Sequence, residues 1–187
     1  MNTRFLLFGL LTLVFISGCQ RDDICPESAD ITPFLILRFY DSEDQQLAKA
    51  PQNLSIREVG DDTTFVSIRS NSSTLTYFRY SQDSIAIPLR TDSGETNLEF
   101  ILNTAETLEE GEDPDEDEDE ENPQNTDTLR FSYTVQEEYL NRACAYKANY
   151  VGLKVNLEGG EESWIQNIQI LETNIDDQNN AHVSIFF

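Results

Sequence analysis

The sequence predicts an all-β protein, an antiparallel β-sandwich of about nine strands that carries one long, disordered acidic insertion. Three observations carry that prediction. Short apolar segments alternate with period two along most of the chain, the pattern of strands with one buried face. Clusters of Gly, Asn, Asp and Ser break the segments at intervals of roughly ten residues, the rhythm of a sandwich. No segment holds a 3.6-residue apolar period, apart from a candidate helical turn at 137–142.

The first element is not part of that domain. Residues 1–18 have a short basic start at Arg4 and a nearly unbroken apolar run over 5–16. Twelve residues fall short of the roughly 20 that a helix needs to cross a bilayer core. They match the apolar region of a secretory signal peptide, with Ser17 and Gly18 as small residues before a cleavage site. The stretch Ile16-Ser17-Gly18-Cys19 resembles the bacterial lipobox, an aliphatic residue and two small ones before a cysteine. That resemblance implies that Cys19 carries the lipid and becomes the acylated N-terminus, a lasting anchor because two or more acyl chains bind stably. Residues 19–29 are then a lipid-anchored linker, and 30–187 the domain. Gln20-Arg21-Asp22-Asp23 is similar to the Gln-Lys-Asp-Asp signal that sends some Bacteroidota lipoproteins to the outer face of the outer membrane. A plain solvated linker is the alternative. The expected address is therefore the outer membrane, on its periplasmic or cell-surface face.

With Cys19 assigned to lipid, Cys25 and Cys144 remain. A pair of cysteines outside the cytosol is most simply a disulfide. Structural zinc needs four ligands, and two thiols with one His in the chain do not supply them. Free buried thiols are the other alternative.

The strands follow in order. The runs 34–40, FLILRFY, and 163–171, SWIQNIQIL, are more continuously apolar than the alternating segments and read as central strands. Alternation marks Leu54/Ile56, Leu75/Tyr77, Ile85/Ile87/Leu89 and Leu98/Phe100/Leu102 in the first half. Leu129/Phe131/Tyr133/Val135, Val151/Leu153/Val155/Leu157 and Val183/Ile185/Phe187 continue it. The strand ending at Leu102 and the one starting at Leu129 read as two arms of a hairpin. Between them lies EEGEDPDEDEDEENPQN, a density of like charge that repels itself and has nothing apolar to bury. Residues 104–126 are accordingly expected to be a disordered insertion at the hairpin tip.

Charge excludes some partners. The chain carries a formal −23, with 35 acidic residues, twelve of them within 106–121. An acidic field of this size disfavours nucleic acid and anionic headgroups. Asp113, Asp115, Asp117 and Asp119 resemble the start of a calcium loop, but Glu118 stands where that loop needs Gly, and Gln124 where it needs a bidentate Glu. No metal site and no cofactor is expected.

Catalytic motifs are equally absent. His182 is the chain's only histidine and stands two residues from Ser184 in AHVSIFF. No nucleophile elbow, P-loop, zinc-helix or dinucleotide fingerprint accompanies it, so His182 reads as a strand-surface residue. The aromatics Tyr77, Tyr80, Tyr133, Tyr139, Tyr146, Tyr150 and Trp164 could form a stacking platform for sugars, although cross-strand packing explains them as well.

Four stretches taken together resemble an uncharacterised lipoprotein family of Bacteroidota. They are Cys25 with TPFLILRFYD, IAIPLRTD, RACAYKANY, and the ending AHVSIFF. The resemblance implies paired cysteines at Cys25 and Cys144. It also marks a departure: Gly often follows the second cysteine in that family, and this chain has Ala145, which tolerates positive φ poorly. The family has no assigned activity. The expected function is a non-enzymatic binding or accessory module of the envelope, with a protein or glycan partner; the competing expectation is a hydrolase acting on glycans through carboxylates.

Overall fold

The structure, a computed structural model, describes residues 24–26, 29, 31–61, 63–69, 75–76, 79–104, 123–160 and 162–187. The signal segment, Cys19, the four calcium-loop acids, Tyr77 and most of the acidic insertion lie outside them. By its contacts the chain divides into two units, Thr32–Glu137 with Ala148–Phe187, and Met1–Ile31 with Glu138–Lys147.

Among the described residues the larger unit contains strands and no helix. One sheet joins β4 (Leu75–Thr76), β3 (Ile68–Arg69), β5 (Ser84–Ile87), β1 (Leu35–Tyr40), β10 (Val183–Phe186) and β9 (Asn167–Ile170), in that order. The second joins β2 (Ser55–Glu58), β6 (Glu95–Leu102), β7 (Asn125–Asn141) and β8 (Ala145–Glu158). Their inward side chains form one cluster, with Leu35, Leu37, Phe39, Ile85 and Ile87 from the first sheet and Ile56, Phe100, Leu129 and Phe131 from the second, all buried. This is the sandwich that the period-two pattern predicts.

β1 is central, as its apolarity indicates, and pairs with β5 on one side and β10 on the other. The β1–β10 pairing is parallel, with Leu37 opposite Val183. The two strands come from opposite ends of the chain, so no hairpin dictates their direction. The sheet is therefore mixed rather than purely antiparallel. β10 lies between β1 and β9 and is buried at all four positions.

The segment 163–171 departs from expectation. Only Asn167–Ile170 is a strand, at the edge of its sheet and hydrogen-bonded to β10 alone. Trp164 and Ile165 fill the core ahead of it. The Trp164 Nε1–H donates to the Phe100 carbonyl at 3.2 Å, and the indole packs edge-on against Phe187. The apolar run reflects this core filling and not a strand buried on both faces.

The hairpin of β6 and β7 is present, and its ladder runs from Glu95↔Ser132 out to Leu102↔Asn125. The strands thus reach further than the apolar alternation does. Asn103 and Thr104 donate backbone N–H groups to the carbonyls of Gln52 and Asn53, which ties one root of the insertion to the chain preceding β2. The candidate helical turn at 137–142 is instead the end of β7, which stays extended through Asn141.

In β8 the inward set changes phase. Ala148 and Tyr150 are buried before Gly152, and Leu153 after it. Gly152 has φ +72°, as a one-residue bulge requires. Tyr150 consequently takes the core place that strict alternation assigned to Val151.

Candidate functional site: the disulfide-tied ribbon tip

The smaller unit is the turn between β7 and β8, with the described part of the N-terminal segment. Asn141 opens the turn, and its Oδ1 accepts N–H bonds from Ala143 at 2.9 Å and Cys144 at 2.8 Å. This is the side-chain mimic of a backbone turn that favours Asn at such places. Ala145 closes it with φ +58°, the left-handed conformation that glycine adopts without cost. The departure from the resembled family therefore falls on a residue whose backbone would favour Gly.

Cys144 is bonded to Cys25, with the two Cα atoms 4.7 Å apart and 119 residues between them in sequence. The pairing inferred from the cysteine count is thus made. Two residues further on, Tyr146 crosses to Tyr139 on the other arm, ring centroids 5.3 Å apart and edge to face. Both rings are largely exposed, Tyr139 at 58% and Tyr146 at 62%. Ile24, beside the disulfide, is 73% exposed, and Ile31 is also exposed. Lys147 is buried, with its Nζ 3.4 Å from the Glu138 carboxylate.

The other described aromatics considered for a platform have structural roles. Tyr133 and Tyr150 meet edge to face in the core, 5.0 Å between centroids. The Tyr133 hydroxyl donates to the Arg90 carbonyl at 2.8 Å and is bonded to the Thr96 hydroxyl. The Tyr150 hydroxyl donates to the Leu89 carbonyl at 3.1 Å. The two phenols thereby pin the connection between β5 and β6. Burial pushes both phenols up, Tyr150 to about 12. Tyr80 is also buried, its hydroxyl engaged by Gln82 and Ser84. Among the described tyrosines, only Tyr139 and Tyr146 are exposed large apolar groups.

His182 is buried, only 1% exposed, and so is not the strand-surface residue its sequence position indicates. Its Nδ1 accepts the Ile36 N–H at 2.9 Å, while its own backbone N–H bonds the Ile36 carbonyl. Desolvation lowers its pKa, against the opposing charges of Glu172, Asp177 and Asp176. The imidazole thus fastens the start of β10 to β1, two inner strands of the sheet.

Sequence reasoning gave no sign of Asp127. It is buried, and one carboxylate oxygen accepts the Ser163 hydroxyl and the Ile165 N–H, each at 2.8 Å. Gly159 lies against this cluster; a Cβ there would come within 2.7 Å of the Ser163 Oγ. The group fastens the chain that leads into Trp164. No cluster of three or more His, Cys, Asp or Glu among the described residues is placed to hold a metal ion. Nor is any helix there long and apolar enough to cross a membrane.

No curated protein and no solved structure matches the chain. A family profile does, over residues 53–187, and the chain belongs to that family, DUF6452, a family of unknown function.

Proposed function

We propose that this chain is a lipoprotein of the bacterial outer membrane, held by acyl chains on Cys19, and that it works as a non-enzymatic binding or accessory module of the envelope. The observation that carries the reading is the Cys25–Cys144 bond. It uses two of the three cysteines and leaves for lipid the one that follows the lipobox-like stretch. It also fastens the chain six residues beyond Cys19 to the turn between β7 and β8, so the anchor would end on a folded element. The non-enzymatic part draws support from how the reactive side chains are used. His182 clamps β10 to Ile36, Asp127 holds a loop, and Tyr133 and Tyr150 brace a connection.

The test is made in the intact envelope, with the natural protein beside a Cys19→Ala variant. Mass spectrometry of the N-terminal peptide should find the acyl groups on Cys19, and the variant should leave the membrane fraction. Crosslinking in living cells should capture a specific envelope component that the released variant no longer contacts. Turnover of a glycan by the purified protein, abolished by substituting one carboxylate, would replace this reading with the hydrolase.

A further inference from the structure

The ribbon tip has an occupant that its chemistry and its tether both specify. We infer that the exposed pair Tyr139 and Tyr146, with the exposed Ile24 that precedes the disulfide-bonded Cys25, docks into the headgroup interface of the lipid layer in which Cys19 is anchored. The inference rests on the proposed acylation of Cys19 and goes beyond it, by assigning a contact surface and a lipid ligand.

The tether argument is geometric. Cys19 and Cys25 are six residues apart, and an extended chain spans at most about 3.6 Å per residue, so roughly 20 Å in all. The disulfide holds Cys25 against Cys144, and Tyr146 is two residues from Cys144 in β8. The tip therefore stays within roughly 20 Å of the anchoring interface, close enough for its side chains to reach a headgroup zone about 6 Å deep. Without the disulfide, the linker would impose no such limit on the ribbon.

The chemistry of the tip suits that place. Tyrosine is enriched at membrane–water interfaces because one end of the ring is apolar and the other wet. Tyr139 and Tyr146 lie open, while the core tyrosines 80, 133 and 150 are buried and hydrogen-bonded to protein. Charge agrees as well. The chain as a whole carries −23, yet the stretch 138–147 has one acid, Glu138, against Arg142 and Lys147. It is thus a locally non-acidic patch on a protein whose field would otherwise oppose headgroup phosphates. Arg21 offsets one of the two acids in the spacer, Asp22 and Asp23.

The experiment uses the full lipidated protein in vesicles of zwitterionic phosphatidylcholine, with and without bromine on the acyl chains. Tyr139→Trp and Tyr146→Trp each put an indole at the tip, and the emission of the parent, which comes from Trp164 in the core, is subtracted. The added emission should shift to the blue and be largely lost in brominated vesicles, with the Trp164 emission unchanged. Mass spectrometry of the same preparation reads Cys19 acylation separately. An acylated protein whose added indole emits as in water overturns the docking and leaves the anchor standing. A blue-shifted indole that bromine does not quench is covered by protein and overturns it equally. An unmodified Cys19 removes the tether and overturns both readings.

Discussion

Replacing Ala145 with glycine should stabilise this protein. The residue closes the β7–β8 turn at φ +58°, where an L side chain brings Cβ against the following carbonyl at a cost of roughly 1–2 kcal/mol. Glycine removes that cost. Against it stands the greater freedom that glycine gives the unfolded chain, about 0.4–1 kcal/mol. The difference favours the Ala145→Gly variant by roughly 0.5–1 kcal/mol. The turn should otherwise be unchanged, because its fixed contacts come from Asn141 Oδ1 and from the disulfide. For a chain of this size such a gain raises the melting temperature by about 1–4 °C. The assay is paired thermal and urea unfolding of the soluble form, disulfide intact, with Ala148→Gly as control. Ala148 is buried in regular strand three residues on, so glycine there should cost about 1 kcal/mol. A variant at 145 that is as stable as the parent or weaker, with the control behaving as stated, would refute the argument from backbone strain.

Other consequences follow from the same contacts. His182 has a lowered pKa, so the unfolded chain binds its proton first as pH falls. Stability is fully present above the ordinary value of 6.5 and is lost as pH drops below it toward the folded value, with a slope of up to about 1.4 kcal/mol per pH unit. Urea midpoints from pH 7.5 to 5 should show that slope, and His182→Asn, which keeps an acceptor and does not titrate, should flatten it. Asp41, Asp61 and Asp92 are lowered mainly by hydrogen bonds, so their contribution disappears in a separate window, below their ordinary value of 3.8. Reduction of the Cys25–Cys144 bond should cost about 2–5 kcal/mol, read as a fall in the urea midpoint; a midpoint insensitive to reductant contradicts the bond's role. Deleting residues 105–122 and closing the roots with a short turn should leave the melting temperature within a few degrees or raise it, because both a long loop and a dense negative charge are removed. A large fall on deletion would mean that the insertion contributes to folding.

The fold was legible because alternation is a direct consequence of strand geometry. Ile85/Ile87, Leu98/Phe100 and Leu129/Phe131/Tyr133 are buried in the phase their spacing shows. What escaped was whatever depends on a distant partner. The parallel pairing of β1 with β10 cannot be read from either strand, and the edge position of β9 depends on which strand lacks a second neighbour. The phase change in β8 needs a bulge at Gly152, and an isolated glycine in a strand pattern was the available signal. The two polar residues that sequence placed wrongly or passed over, His182 and Asp127, are buried because amides at Ile36 and Ile165 await them. Those amides lie 146 and 38 residues away in the chain, beyond the reach of any local pattern.

That division also bears on the proposed contact surface. A buried polar group is tolerated when hydrogen-bonded, so His182, Asp127, Tyr133 and Tyr150 are accounted for by the fold and need no ligand to explain them. Exposed aromatic rings are the reverse case, since leaving two of them in water offers a folded domain little. Tyr139 and Tyr146 sit two residues either side of the turn 141–144 that Asn141 shapes and Cys144 fastens. The chain thus spends a side-chain cap, a strained backbone position and its one described disulfide on holding a turn that carries exposed tyrosines. Those devices hold the tip as a fixed surface, beside the stability that the disulfide contributes by closing a long loop. Shortening the ribbon by deleting Tyr139 to Tyr146 and reclosing it should therefore leave the sandwich of the larger unit folded, by circular dichroism and cooperative unfolding, while the lipidated protein loses its interface contact. Loss of the fold would show instead that the ribbon exists for stability.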